Sequence, residues 1–228
     1  MITRFPRFLL LALMVALNAG SAVAADLATY REFTLGTSPA EVIAQSGATP
    51  GDLKTLHSRP ALLEQLSWRL PYRSDPAQRE AVATIAFSFI DSQLFRMVIE
   101  YDATRTQGLT REDMIASLVA IYGPRSTAPA PPAPRPAYDS LDTVTPLANW
   151  RQGEAMLVLG HSAYRDGFSL IITSTRLEPL ARKAEAAAMT LDAREAPARE
   201  AARAKADAEA RRAAEEKIRT TNKETFKP

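Results

Sequence analysis

The sequence predicts an α+β fold: two helix-plus-antiparallel-strand repeats followed by a long alanine- and charge-rich C-terminal helix. Three observations predict it. Two segments, about 33–102 and about 108–175, each open on a capped helix and continue in period-two alternation of apolar and polar residues. Residues 124–136 (PRSTAPAPPAPRP) hold six prolines in thirteen positions and interrupt the second segment. Residues 181–217 contain 16 alanines and 17 charged residues with almost no large apolar side chain, which is a helical composition.

Residues 1–25 read as a secretory signal peptide. Arg4 and Arg7 precede the apolar run Phe8–Leu17, Asn18, Gly20 and Ser21 break it, and Ala22-Val23-Ala24 supplies small residues for cleavage. The run is shorter than the ~20 apolar residues that span a bilayer. The expectation is a periplasmic or secreted protein beginning at Ala25 or Asp26, with no transmembrane helix after cleavage. An uncleaved signal anchor is the alternative. The chain carries 28 basic and 26 acidic residues. Arg4 and Arg7 leave with the signal, so the remainder is neutral, and the pI near 9 is no argument for nucleic acid, which needs a clustered basic face. The absence of cysteine excludes disulfides and lipidation of a cleavage-site cysteine.

The repeat domain spans 26–176. In its first repeat, Ser38 caps a helix, Pro39 takes the first helical position, Glu41 completes a capping box, and Gly47 with Pro50 stops it. Leu66, Trp68, Leu70 and Tyr72 then alternate with polar residues, as do Ile85, Phe87 and Phe89. Asp91-Ser92-Gln93 reads as a hairpin turn, and Phe95, Met97, Ile99 and Tyr101 share one face of the next strand. In the second repeat Thr110 caps, Asp113 stands at the box position, and Met114, Ile115, Leu118, Val119 and Ile121-Tyr122 form the apolar stripe up to Gly123-Pro124. The proline-rich loop follows, because proline lacks an N–H and fixes φ. Then come Trp150, a strand over Met156 to Leu159, a turn at Arg165-Asp166-Gly167, and a strand over Phe168 to Thr173.

Residues 177–228 read as a helical arm. Charges recur at i,i+4 spacing, as in Glu195 with Arg199, Lys205 with Glu209 and Arg212 with Glu216. No Leu or Ile heptad drives a coiled coil. Pro197 predicts a kink or a two-helix break near Ala196. With little apolar surface to dock, the arm is expected to project, and its deletion to shift the melting temperature by only a few degrees. Its last stretch carries Lys217, Arg219, Lys223 and Lys227 against Glu224, with Phe226 near the end, and suits an acidic surface.

The string Gly36-x-Ser38-x-x-Glu41-Val42, followed by Gly47 and Pro50, resembles the helix opening of the BamE (SmpA/OmlA) family of outer-membrane assembly lipoproteins. The tandem arrangement over 33–175 resembles the β-lactamase inhibitor proteins. The resemblance implies a protein-binding module of the envelope that works through a sheet face or loops, without catalysis. The lipobox cysteine of the first family and the disulfides of the second are absent here, and no family binding residue carries over.

Chemistry-bearing motifs are few. His57 and His161 lie in no catalytic pattern, and no G-x-S-x-G elbow or glycine-rich phosphate loop occurs. Glu100 with Asp102, and Glu112 with Asp113, are carboxylate pairs that read as solvated strand and helix ends. The aromatics Trp68, Tyr72, Phe87, Phe89, Phe95 and Tyr101 fall at core spacing. The sequence therefore names no catalytic, cofactor-binding or metal-ligating residue, and the candidate binding surface is Trp150, His161 and Phe226. The expected function is that of a non-catalytic module binding an envelope protein or polymer. A hydrolase of envelope polymers and a signal-anchored spacer or scaffold are the alternatives.

Overall fold

The computed structural model describes residues 25–70, 81–128, 144–162 and 167–227. The expected signal peptide, the proline-rich stretch from 129 onward, Tyr72 and the Arg165-Asp166 turn lie outside the described residues. The fold is α+β. A small hairpin, β1 (Thr29–Tyr30) and β2 (Phe33–Thr34), precedes helix α1 (Pro39–Ser46). Strands β3 (Leu53–His57), β4 (Leu63–Arg69), β5 (Val82–Ile90) and β6 (Gln93–Tyr101) follow. Then come the short α2 (Ala103–Thr106), α3 (Arg111–Tyr122), β7 (Val144–Gln152), β8 (Ala155–Ser162), β9 (Gly167–Ser174) and α4 (Leu177–Thr225).

Strands β3 to β9 make one antiparallel sheet in the order β3-β4-β5-β6-β9-β8-β7. Two three-stranded meanders, β4-β5-β6 and β7-β8-β9, join through their last strands. Val98 lies opposite Ile171 in the joining pair. Trp68 faces Ile85, which faces Ile99. Trp150 faces Leu157, which faces Ile172. The two tryptophans thus stand at matching places in the outer strands of their meanders.

Both capped helices form where the sequence places them. Ser38 and Glu41 close the capping box of α1, and Gly47 ends it at φ 70°. Thr110 and Asp113 close that of α3. Val42 of α1 and Met114 and Leu118 of α3 pack on one sheet face, with Phe33, Phe87, Phe89 and Trp150 in the same core. The apolar stripe of α3 is narrower than expected: Val119 and Ile121 are exposed. At 3.6 residues per turn they flank the Met114–Leu118–Tyr122 line instead of lying on it.

Turns fix the register. Asp91 and Ser92 both take positive φ, 45° and 63°, which suits a two-residue hairpin between β5 and β6. The Asp91 carboxylate accepts from Leu62 N at 3.0 Å, and Asp91 N donates to Leu62 O at 2.9 Å, so the turn also holds the start of β4. A second turn at Gly153, φ 55°, joins β7 and β8. Strand β3 and the hairpin β1–β2 were not legible in the alternation, being short and partly exposed.

The register of β6 departs from the expected alternation. It shifts between Ser88 and Phe89, where Phe89 faces Leu94 and Ser88 faces Arg96. The extra residue, Phe95, forms a β-bulge. Phe95 therefore leaves the face of Met97 and Ile99 and packs on the opposite one with Leu63, Ile90 and Leu177.

That second face receives α4. Leu177, Ala181, Ala184 and Ala188 are buried, and Leu191 and Glu195 are half-buried. Their spacing of four and three residues is one continuous helix stripe. The arm is therefore docked over its first turns and does not project along its whole length, contrary to expectation. Alanine supplies little area per residue, yet its small side chain lets the helix lie close on Phe95, Leu63 and Ile90, whose large side chains supply the rest. Of the kink or two-helix break expected near Ala196, the break is absent, since α4 runs through Pro197. The one lost helix bond is offset by the alanine-rich turns on both sides. Arg199 Nη2 donates to Asp192 O at 3.1 Å beside the interruption.

Candidate functional site

The titratable groups singled out in the sequence are mostly taken up in local structure. Asp113 accepts from the Thr110 backbone N–H and hydroxyl, both at 2.8 Å. Chiefly the backbone bond, then the hydroxyl, holds its carboxyl below the ordinary range. Glu41 and Asp52 are lowered by the same pair of bonds from Ser38 and Thr49. Asp102 caps α2, accepting from Thr104 N at 2.8 Å and Thr104 Oγ1 at 2.6 Å. These bonds give it a structural role at a helix start. Among the described residues no three His, Asp or Glu side chains converge as a metal site would need.

Tyr30 of β1, Tyr101 and Tyr122 are half-buried tyrosines packed against the main core. Burial pushes the Tyr101 phenol well above its ordinary range, and Tyr30 and Tyr122 add to the rise. Burial, then Tyr30, also raises Tyr122. Phenols so placed stay neutral, which suits packing and hydrogen bonding and not nucleophilic attack.

The three residues of the expected binding surface are not brought together. Trp150 is 2% exposed and lies in the core, where its indole N–H donates to Gly123 O at 2.9 Å. It ties the end of α3 to β7 and is no part of a surface. His161, half-buried, stacks edge-on against Phe168 at 5.1 Å between ring centroids. Phe226, 75% exposed, stands at the far end of α4.

An open cleft of about 480 Å³ lies beside β7, lined by Arg125 to Ala128 and Pro146 to Asn149. Asn149 Nδ2 donates to Ala128 O at 3.0 Å, and Ser126 N donates to Asn149 O at 2.7 Å. These bonds seat the chain after α3 along the edge strand. Among the described residues that line the cleft, Arg125 is the one titratable side chain.

The feature least explained by folding is the outer part of α4. Its start is fastened to the β7–β8 turn, with Thr175 N donating to Glu154 O at 2.7 Å and Arg176 Nε to Glu154 Oε2 at 3.0 Å. Between β6 and α4, Arg96 and Glu178 form a buried ion pair, with Arg96 Nε donating to Glu178 Oε2 at 3.1 Å. Arg182 adds a bond to the same carboxylate at 2.9 Å. The residues before β4 hold the next turns. His57 Nδ1 lies 3.5 Å from Asp192 Oδ2, and Arg59 Nη2 donates to both Glu195 oxygens at 3.2 and 2.9 Å. Beyond Pro197 the docking ends: nearly every residue from 199 to 227 is exposed. At 1.5 Å per residue the helix reaches about 45 Å past Glu195.

Side-chain pairing on this outer part is sparse. Glu195 and Arg199 approach to 3.6 Å and Lys205 and Glu209 to 4.0 Å. Arg211 instead donates to the Asp207 carbonyl at 3.3 Å. No helix among the described residues is long and apolar enough to cross a membrane. No protein-family model matches the chain, and no curated protein or solved structure is detectably similar to it.

Proposed function

We propose that this chain is a non-catalytic, exported binding module of the cell envelope, in which a rigid antiparallel sheet carries an outward helical arm as its contact element. The observation that carries the reading is the change in α4 at Pro197. Before it the helix buries a stripe against the sheet; after it about 30 residues stay helical and almost entirely exposed, covering nothing among the described residues. A solvated helix of that length has no role in the core, so its surface is free for a partner protein or envelope polymer. Export rests on the residues 1–25 pattern of Arg4, Arg7, the Phe8–Leu17 run and Ala22-Val23-Ala24. An internal duplication, and with it the resemblance to BamE-like and β-lactamase-inhibitor-like repeats, is supported by the paired capping boxes and by the matching registers of Trp68 and Trp150.

Cross-linking in intact envelopes tests the reading. The full chain should trap a discrete partner, and a version ending at Ala198 should lose it while retaining the fold. Cell fractionation with N-terminal sequencing tests export: a soluble chain starting at Ala25 or Asp26 is expected. A membrane-bound chain that keeps Met1 would make the protein a signal-anchored spacer.

A further inference from the structure

Charge along the outer arm is not evenly spread. Residues 199–216 balance five basic against five acidic side chains, whereas 217–227 carry Lys217, Arg219, Lys223 and Lys227 against Glu224 alone. The same terminal stretch holds the two large apolar side chains of the outer arm that are exposed, Ile218 at 60% and Phe226 at 75%. Glu216 pairs with Arg219 at 2.6 Å. Among the described residues no acid approaches Lys217, Lys223 or Lys227 within ion-pair distance. Helical spacing sets Arg219 and Lys223 in one line and Ile218, Asn222 and Thr225 in the neighbouring one, and Phe226, extended at the C-cap, and Lys227 follow directly past the helix end. Basic residues at a helix C-terminus favour the dipole. That effect explains the lysines but gives no reason to expose an isoleucine and a phenylalanine beside them.

We infer that the arm tip is a contact for an anionic lipid surface, with the lysines on headgroup phosphates and Ile218 and Phe226 in the headgroup–acyl boundary. Charge complementarity selects an anionic partner. The apolar pair selects lipid over a soluble anionic polymer, which offers no apolar depth to receive it. Each cation near such a surface strengthens binding about fivefold, the ratio that corresponds to roughly 1 kcal/mol. The contact is peripheral, reversible and separate from whatever protein the arm captures.

The test is co-sedimentation of the full chain with vesicles of phosphatidylcholine, with and without phosphatidylglycerol, at low and high salt. Comparing variants in the same chain cancels any contribution of the apolar N-terminal run. The wild type should gain binding from phosphatidylglycerol and lose that gain at high salt. Charge reversal of the three lysines (K217E, K223E, K227E) should lower it by about 100-fold or more. The uncharged pair Ile218→Ser and Phe226→Ser should lower it about tenfold or more. Circular dichroism should show the helix retained in each variant. Equal binding by the wild type and all variants would overturn the inference. So would loss in the lysine variant with none in the Ser pair, because that pattern belongs to an anionic polymer site. Neither result bears on the cross-linked protein partner, whose capture is read separately.

Discussion

Arg96, next to the bulge of β6, and Glu178, in the first turn of α4, form a buried ion pair between the sheet and the helix that covers it. The bulge makes the contact. By inserting Phe95 into the strand it sets Phe95 and Arg96 together on the α4 side, with the Arg96 guanidinium 5.3 Å from the Phe95 ring centroid. One residue supplies apolar area under Leu177 and Ala181, and the next supplies the charge for Glu178. Removing Glu178 leaves the Arg96 charge buried without its counter-ion, so Glu178→Ala should cost about 3–5 kcal/mol in urea unfolding, and Arg96→Ala less, because Arg182 still pairs with Glu178. The Arg96→Met, Glu178→Leu double variant should recover most of that loss. Additive costs of Arg96→Ala and Glu178→Ala in the variant that carries both would show that the two side chains are not coupled.

The docked and outer parts of α4 should differ in what they do for stability. A chain ending at Ala198 keeps Leu177, Ala181, Ala184 and Ala188 on the sheet, and its melting temperature should stay within about 2–4 °C of the full chain, since little ΔG is lost. A chain ending at Arg176 bares Phe95, Leu63 and Ile90 and should melt far lower or aggregate. Equal melting temperatures for all three would mean that the buried stripe adds nothing.

Trp150 is a structural residue in this fold, and its replacement separates packing from binding. Trp150→Phe removes the indole N–H that reaches Gly123 O and should destabilise by about 1 kcal/mol, the net worth of a hydrogen bond to a half-buried carbonyl. Partner capture by the arm should be unchanged. Loss of capture at full folding would place Trp150 in a contact surface after all.

The contrast between what was legible in the sequence and what was not has a local cause. Both helices of the sheet's first face announced themselves through Ser38/Glu41 and Thr110/Asp113, because a capping box is decided by residues three apart. The β5–β6 hairpin was legible for the same reason. The bulge at Phe95 was not, since an alternating run of apolar residues carries no mark of which register its partner imposes. Nor was the docking stripe of α4, where alanine at 181, 184 and 188 looks the same in composition as alanine at 202, 206 and 213. What distinguishes the two sets is Phe95 and its neighbours on the sheet, which lie some 80 residues earlier in the chain. The candidate surface suffered likewise: Trp150 looked separable from the core because its strand neighbours are polar, and only the path of residues 123–128 shows what its N–H meets.

The capping carboxylates predict an acid sensitivity. Glu41, Asp52 and Asp113 all have folded-state values below their ordinary ones, so the unfolded chain binds more protons as pH falls. Their contribution is complete above the ordinary carboxylate range and is lost as pH drops through it to the lower folded values. A urea series from neutral pH downward should show the midpoint of the wild type falling more steeply than that of a triple Glu41→Gln, Asp52→Asn, Asp113→Asn variant. Parallel curves would mean that other groups carry the acid response.

Pro197 stands where the docked helix becomes a free arm, and its replacement should act locally. Proline deprives the Ala193 carbonyl of its helix donor and disfavours the helical conformation of Ala196. Pro197→Ala restores the bond and removes a penalty of about 3 kcal/mol from the helix interior. Arg59 and Arg199 already hold Glu195 and Asp192 on the near side, so the gain should appear as slower amide exchange over the turns around 193–201. The global unfolding midpoint should move little, because these turns bury almost nothing and the sheet opens independently of them. If the midpoint rises by the full amount, the arm is cooperative with the core. A partner would then have to bend or melt the whole domain to reorient the arm.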